Sequence, residues 1–140
     1  MRVRRKTIAG LAALALAGFI TISCGGVNDP SKNATDNLTV TVQARGGTST
    51  VGTFNVSNSG EFSVKVTGST PTYSGTFLLN VGVGDASSCA IIQQNFFATV
   101  NGPSIGGAVV QKGLYCVYLQ DINGSFTTPP ITFTIQASHP

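Results

Sequence analysis

Residues 131–137 read ITFTIQA, so apolar and polar side chains alternate along the whole stretch. A period of two is the pattern of a β-strand with one buried face and one solvated face. Similar alternation recurs in further stretches, at residues 38–43, 53–56, 62–66, 77–83 and 115–119. No ten-residue stretch after residue 24 has the 3.6-residue period of an amphipathic helix, so the chain is predicted to be all-β.

The predicted strands are short, and each has one apolar face. About seven to nine such strands must bury those faces against a second sheet or close on themselves. We therefore predict an antiparallel two-sheet, jelly-roll-like β-sandwich over residues 36–140, a length that suits one domain. Residues 90–100 are predicted to form one or two strands. Pro129 and Pro130 precede the final strand and predict that it lies near a sheet edge, because proline cannot donate to a ladder.

The N-terminus has the organisation of an export signal. Basic residues begin it, an apolar run occupies residues 8–22, and the small residue Ser23 follows. About fifteen apolar residues are fewer than the roughly 20 that a helix needs to cross a bilayer. A signal peptide over residues 1–23 is therefore favoured over a permanent transmembrane span. Residues 24–35 are polar and lack periodicity, which predicts a flexible tether.

The segment Thr21-Ile22-Ser23-Cys24 resembles the lipobox of bacterial lipoproteins. The resemblance implies that the thiol of Cys24 carries diacylglycerol and that Cys24 becomes the N-terminus after cleavage. It also implies a membrane anchor, since two or more acyl chains hold a small protein on a bilayer. Gly25 after the cysteine resembles the family's signal for the outer membrane or cell surface rather than the inner membrane. An ordinary secretory peptide with an incidental cysteine is the alternative.

The basic residues are concentrated in the leader. Four of the eight Lys and Arg residues precede residue 7, which leaves four basic and five acidic residues from Cys24 onward, a net charge of −1. The remaining basic residues are scattered singly. Nucleic-acid binding needs clustered Lys and Arg that neutralise phosphates, so no nucleic-acid partner is predicted.

The cysteine count predicts one disulfide. With Cys24 modified, only Cys89 and Cys116 remain. An exported chain with an even remainder of cysteines favours a bond between them. Neither a further cysteine nor a nearby histidine accompanies them in sequence, so we do not predict a metal site there.

The sequence has few candidates for catalytic side chains. His139 is the single histidine and lies one residue from the C-terminus, where fraying predicts a solvated or lightly packed side chain rather than a general base. No spacing brings two carboxylates together in the way that glycoside hydrolysis needs. The sequence therefore predicts neither an enzyme activity nor a cofactor.

A turn is predicted at Asp121-Ile122-Asn123-Gly124, where Asp and Asn side chains accept hydrogen bonds from nearby backbone amides. A calcium site is the alternative interpretation. Calcium prefers several oxygen ligands, which Asp85, Asp121 and Asn123 would contribute.

Exposed aromatic side chains are candidates for ligand contact. Tyr118 is the best candidate, because it shares a strand side with Cys116, opposite the side of the apolar residues. Tyr73 and Phe126 lie in predicted loops and are weaker candidates. A tyrosine that only favours the strand conformation is the alternative.

The second half of the chain contains short motifs that occur together in a known protein family. Residues 113–121 read GLYCVYLQD, followed by Asn123-Gly124, by PITFTI at residues 130–135 and by the terminal His139-Pro140. Together with GEFSVKV at residues 60–66 and Ser88-Cys89, this resembles the bacterial pre-peptidase C-terminal domain family over about residues 38–140. The resemblance implies a jelly-roll-like β-sandwich that is appended to secreted peptidases and other exported enzymes and is not itself catalytic.

From these observations we expect a lipid-anchored protein of the bacterial cell envelope. Its β-sandwich is predicted to bind or to interact structurally, with an envelope protein or a glycan as partner, and without catalysis. A membrane-tethered accessory subunit of a secreted hydrolase is the alternative. A further alternative is an enzyme whose catalytic residues lie outside the patterns described above.

Overall fold

The computed structural model describes residues 32–140, apart from the side chains of residues 108–110. Eight β-strands make up the described part of the chain: β1 Ala34–Val42, β2 Gly52–Val56, β3 Gly60–Thr70, β4 Phe77–Val83, β5 Ala90–Ala98, β6 Ile105–Val110, β7 Gly113–Gln120 and β8 Ile131–His139. Residues 32–140 contain no α-helix. Among them, no helix has the length and apolarity needed to span a membrane.

The strands form two four-stranded sheets. One sheet has the order β1-β8-β3-β6 and the other the order β2-β7-β4-β5. All pairings are antiparallel. The predicted two-sheet, jelly-roll-like β-sandwich is confirmed. Each sheet has two edge strands, and β5 is one of them.

The core lies between the two sheets and is filled by the residues that the alternation predicts to face inward. From one sheet Val40, Phe62, Phe133 and Ile135 are fully or almost fully buried. The other sheet contributes a matching set, namely Phe54, Phe77, Leu79, Val81, Val117 and Leu119. Each fully buried side chain of this size contributes about 1.5–3 kcal/mol.

The two ends of the sandwich carry different loops. At one end Ala34 pairs with His139, and the amide of Asn58 donates to the carbonyl of Pro140 at 3.4 Å. We call this the tether end, because β1 begins here. At the other end, the far end, Val42 bridges to Ser49. The β2–β7 and β4–β7 registers place Val83 and Gly113 toward the tether end and Gln120 toward the far end.

Three details of the sequence-based boundaries differ from the structure. The first strand begins at Ala34, so the predicted tether over residues 24–35 overlaps β1 by two residues; they join the strand because β8 continues to His139 and pairs with them. Residues 90–100 contain one strand, β5. The prediction that the final strand lies near an edge is wrong, since β8 lies between β1 and β3 and the two prolines precede its first residue, Ile131.

Candidate functional site

The predicted signal peptide over residues 1–23 and the predicted lipid site at Cys24 lie outside the described residues. Both stay predictions. The structure does show where the chain leaves them: β1 begins at Ala34 at the tether end of the sandwich.

The predicted disulfide between Cys89 and Cys116 is confirmed, with an S–S distance of 2.04 Å. Cys116 lies in β7 opposite Gly82 of β4, and Cys89 immediately precedes β5. The bond therefore passes over Gly82 and ties the start of β5 to a strand that is not its direct neighbour. A β-carbon on Gly82 would lie 2.8 Å from Cys89 Sγ and 2.6 Å from the carbonyl oxygen of Ala90.

Asp121 closes the far end of the sandwich. Its side chain is buried, with the residue 2% exposed. Oδ2 accepts hydrogen bonds from the amides of Gly46 at 2.8 Å and Phe126 at 3.1 Å. Oδ1 accepts from the amide and the hydroxyl of Ser125, at 2.7 and 3.0 Å. Desolvation raises the pKa of Asp121, but the hydrogen bonds from Gly46, Phe126 and Ser125 outweigh it and hold that pKa below its ordinary value.

Asp85 orders the loop between β4 and β5. Its Oδ1 accepts from the amides of Ser87 at 2.8 Å and Ser88 at 2.9 Å, and from both hydroxyls at 2.7 and 3.0 Å. Hydrogen bonds from the Ser87 side chain and amide, and then from Ser88, lower the pKa of Asp85 to about 2. The carboxylate thus acts as an Asx-type turn former on an exposed loop.

The calcium candidates do not come together. Asp85 follows β4 at the tether end, whereas Asp121 and the exposed Asn123 follow β7 at the far end. In residues 32–140, no group of three or more His, Cys, Asp or Glu side chains is arranged to hold a metal ion. The hydrogen bonds to Asp121 support the turn interpretation for residues 121–124, and those to Asp85 show a second turn that was not predicted.

The aromatic candidates have three different environments. Tyr118 lies half-buried on the outer face of its sheet, opposite the buried Asn80. The hydroxyl of Tyr73 is 2.7 Å from Ser125 Oγ. The interpretation of Phe126 as an exposed aromatic is wrong: it is fully buried, 5.5 Å from Phe133 between ring centroids, because Asp121 folds the loop inward.

The prediction that His139 is a solvated or lightly packed terminal residue is wrong. It belongs to β8, is only 5% exposed and stacks on Phe54 with ring centroids 5.3 Å apart. Its Nε2 lies 3.0 Å from Asp36 Oδ2 in the paired strand β1. The ring is fixed because His139 continues the β1–β8 ladder, paired with Ala34, and because its ring packs on Phe54 of the other sheet. These contacts are structural.

The surface that the sequence analysis did not identify is the outer edge of β5. Four large apolar side chains are exposed there: Ile91 at 45%, Ile92 at 50%, Phe96 at 51% and Phe97 at 80%. We call these four residues the β5 edge surface. Clustered exposed apolar side chains often mark a contact surface, whereas singly scattered ones do not.

Two irregularities explain why both residues of each apolar pair are exposed. The β4–β5 register shifts between Val81 and Gly82, where Ile92 is the extra residue. It shifts again opposite Leu78, within the Phe96-Phe97 pair. A bulge breaks the in-and-out alternation of a strand, so consecutive side chains can both face solvent. The alternation of apolar and polar residues that predicts the other strands fails at these positions.

The chain around β5 carries no charge. From Ala86 to Gln111 the sequence has no Asp, Glu, Lys, Arg or His, and this segment includes β5 and β6, two edge strands. Edge strands of soluble proteins commonly carry charges, especially Lys, that prevent pairing with another chain. The absence of charge over residues 86–111 is the sequence signal that could have located this surface.

Comparisons of the chain with family models, with curated proteins and with solved structures found no match. The resemblance to pre-peptidase C-terminal domains therefore stays a prediction.

Proposed function

We propose that this protein is a lipid-anchored, non-catalytic module of the bacterial cell envelope that binds another protein through its β5 edge surface. The exposure of Ile91, Ile92, Phe96 and Phe97 on an edge strand is the observation that carries the proposal. An edge strand offers unpaired backbone amides and carbonyls, and its side chains add apolar contact area.

The chemistry of this surface fits a protein better than a glycan. Phenylalanine and isoleucine side chains offer no hydrogen-bond donors or acceptors, which sugar hydroxyls require. The polar side chains of the strand are amides, and Gln94 Nε2 is already engaged with Asn80 Oδ1 at 2.6 Å. An apolar partner surface that also supplies a strand edge matches what β5 exposes.

The location rests on the leader. A basic start, an apolar run and Cys24 support lipid attachment, and Gly25 favours the outer membrane or cell surface over the inner membrane. A non-catalytic role is supported by the engagement of Asp85, Asp121 and His139 in the structural contacts described above.

A secreted hydrolase is a second candidate partner. It is favoured by the resemblance of residues 113–121 to pre-peptidase C-terminal domains, which are appended to such enzymes.

Two measurements test the proposal in the native envelope. Replacing Cys24→Ser should release the protein from the membrane fraction, and mass spectrometry of the wild-type N-terminal peptide should show acyl chains. A photo-crosslinking amino acid at Phe97 should give a protein adduct. The same amino acid at Asn55, exposed on the opposite edge strand β2, serves as the control and should not. Membrane retention of the Cys24→Ser variant would contradict the anchor, and adducts to lipid alone at Phe97 would contradict protein binding.

A further inference from the structure

The sequence of β5 is symmetric about its central residue. Residues 90–98 read AIIQQNFFA. Moving away from Gln94 in either direction gives an amide side chain, then two large apolar side chains, then an alanine. In an antiparallel pair of identical strands centred on Gln94, Ile92 would therefore face Phe96 of the second copy and Ile91 would face Phe97.

We propose that the β5 edge surface binds a second copy of this chain, through antiparallel β5–β5 pairing around a two-fold axis at Gln94. This rests on the proposed protein-binding role of the surface and names its partner. A two-fold interface must be self-complementary, because the same patch is used by both subunits. The pattern of β5 meets this requirement: apolar residues lie opposite apolar residues, and the half-buried Gln93 lies opposite the half-buried Asn95.

Charge favours a second copy as the occupant. A charged side chain at a two-fold axis lies beside its own copy, so a charge at that position would repel itself. Residues 86–111 carry none, and the two edge strands β5 and β6 both lie in this segment. A partner with a basic or acidic surface would find no complementary charge on β5.

The exposed area is sufficient for a modest dimer. Phe96 and Phe97 expose 51% and 80% of their surface, which at roughly 200 Å² per aromatic side chain is roughly 250 Å² per copy. With the two isoleucines and the strand backbone, two copies would bury roughly 1,000 Å², near the lower limit for specific interfaces. Such a dimer dissociates on dilution, but two copies held on one membrane have a high effective concentration.

The strand edge is held in place before any partner arrives. The Cys89–Cys116 bond fixes the chain directly before Ala90, and Gln94 Nε2 donates to Asn80 Oδ1 on the neighbouring strand. Bulges at Ile92 and within Phe96-Phe97 restrict regular ladder pairing to the centre of the strand. The ladder is therefore expected to cover Gln93 to Asn95, with the apolar pairs packing on either side of it.

Disulfide trapping on the native membrane tests the pairing with the full chain. A residue on the two-fold axis lies beside its own copy, within the roughly 4.4–6.8 Å between Cα atoms that a disulfide needs. A Gln94→Cys variant should form a covalent dimer on mild oxidation. An Asn55→Cys variant, exposed on the opposite edge of the same sheet, should stay monomeric. Equal dimer yields for both variants would show random collision and overturn the proposal.

A second pair of variants separates pairing from folding. Phe97→Asp in the Gln94→Cys chain should reduce the trapped dimer at least tenfold, because it buries two carboxylates in the interface. Asn55→Lys in the same chain should leave the yield unchanged. Unfolding midpoints of both chains, measured in parallel, should match the parent. An undiminished dimer in a folded Phe97→Asp chain would overturn the proposed interface.

The photo-crosslinker at Phe97 distinguishes the two proposals. An adduct of twice the chain mass, together with Gln94 trapping, supports the self-pairing. An adduct with a different protein and no Gln94 dimer would overturn the self-pairing and leave the proposed binding function standing. Adducts with lipid alone, or none, would overturn both.

Discussion

Cys89 Sγ lies 2.8 Å from the point that a β-carbon on Gly82 would occupy, so the disulfide requires glycine at this place in β4. The carbonyl oxygen of Ala90 is closer still, at 2.6 Å. Real β-carbons do not approach other atoms so closely, and neither the disulfide nor the backbone of Ala90 can move away freely. The start of the edge strand β5 therefore packs directly against the backbone of Gly82.

Substituting Gly82→Ala should lower the free energy of unfolding by about 1–3 kcal/mol, the range for overpacking a tightly filled site. Urea unfolding of the oxidised protein measures it. Gly68→Ala in β3 is the matched control, because its nearest neighbours would be 3.9 Å away. A Gly82→Ala protein as stable as the Gly68→Ala protein would contradict the close contact.

Removing the disulfide with Cys89→Ala and Cys116→Ala should cost about 2–4 kcal/mol, mainly because the unfolded chain loses a constraint across 27 residues. In that background Gly82→Ala should cost less than in the oxidised protein, since Sγ is gone while the carbonyl of Ala90 remains. Urea unfolding of the four proteins gives the coupling. Equal costs in both backgrounds would show that the disulfide does not contact Gly82.

Asp121→Asn should lower the free energy of unfolding at pH 7 by roughly 2–4 kcal/mol, because an amide nitrogen would face buried backbone donors. The folded pKa of Asp121 lies below its unfolded value. Its contribution is therefore present above about pH 4 and is lost as the pH falls through the folded pKa.

Stability measured from pH 7 to pH 2 should fall less steeply in Asp121→Asn than in the wild type. Asp85→Asn is the comparison: hydrogen bonds also lower the pKa of Asp85, so it should flatten the profile too, but by less, because its carboxylate is exposed and solvent screens its contacts. A wild-type profile that is flat below pH 4 would be inconsistent with the hydrogen bonds to Asp121.

His139→Ala should destabilise the protein by roughly 2 kcal/mol, through lost packing on Phe54. Asp36→Asn should cost less than about 1 kcal/mol, because the Asp36 side chain is 46% exposed and solvent screens the contact. Thermal unfolding of the two variants shows which substitution destabilises the protein more. A larger effect for Asp36→Asn would show that the pair with Asp36, and not ring stacking, fixes His139.

Much of the fold follows from period-two alternation, because strand geometry sends successive side chains to opposite faces. Val40, Phe62, Val117 and Phe133 are buried as that rule predicts. The pairing partners of β8 were not predictable in this way. Its interior position depends on how the loops cross between the sheets, and adjacent prolines say nothing about a strand that starts after them.

The residues that sequence reasoning misplaced depend on contacts distant in sequence. Phe126 is buried because Asp121 gathers amides from Gly46 and from its own loop. His139 is ordered because it pairs with Ala34 of β1 and its ring stacks on Phe54 of the facing sheet. The β5 edge surface was not predicted, because bulges leave consecutive apolar residues exposed. A pattern of alternating apolar and polar residues does not indicate such positions.

The chain enters the sandwich at Ala34, and β5 starts from the same end at Ala90. In the proposed two-fold pair the two β5 strands run in opposite directions, so the two entry points would lie toward opposite ends of the pair, about 30 Å apart along the strand direction for a nine-residue strand. Ten residues from Cys24 to Ala34 reach at most about 33 Å. If both copies are anchored through Cys24, a pair with its strands lying along one lipid layer leaves both segments slack, whereas an upright pair on the same layer needs one segment almost fully extended.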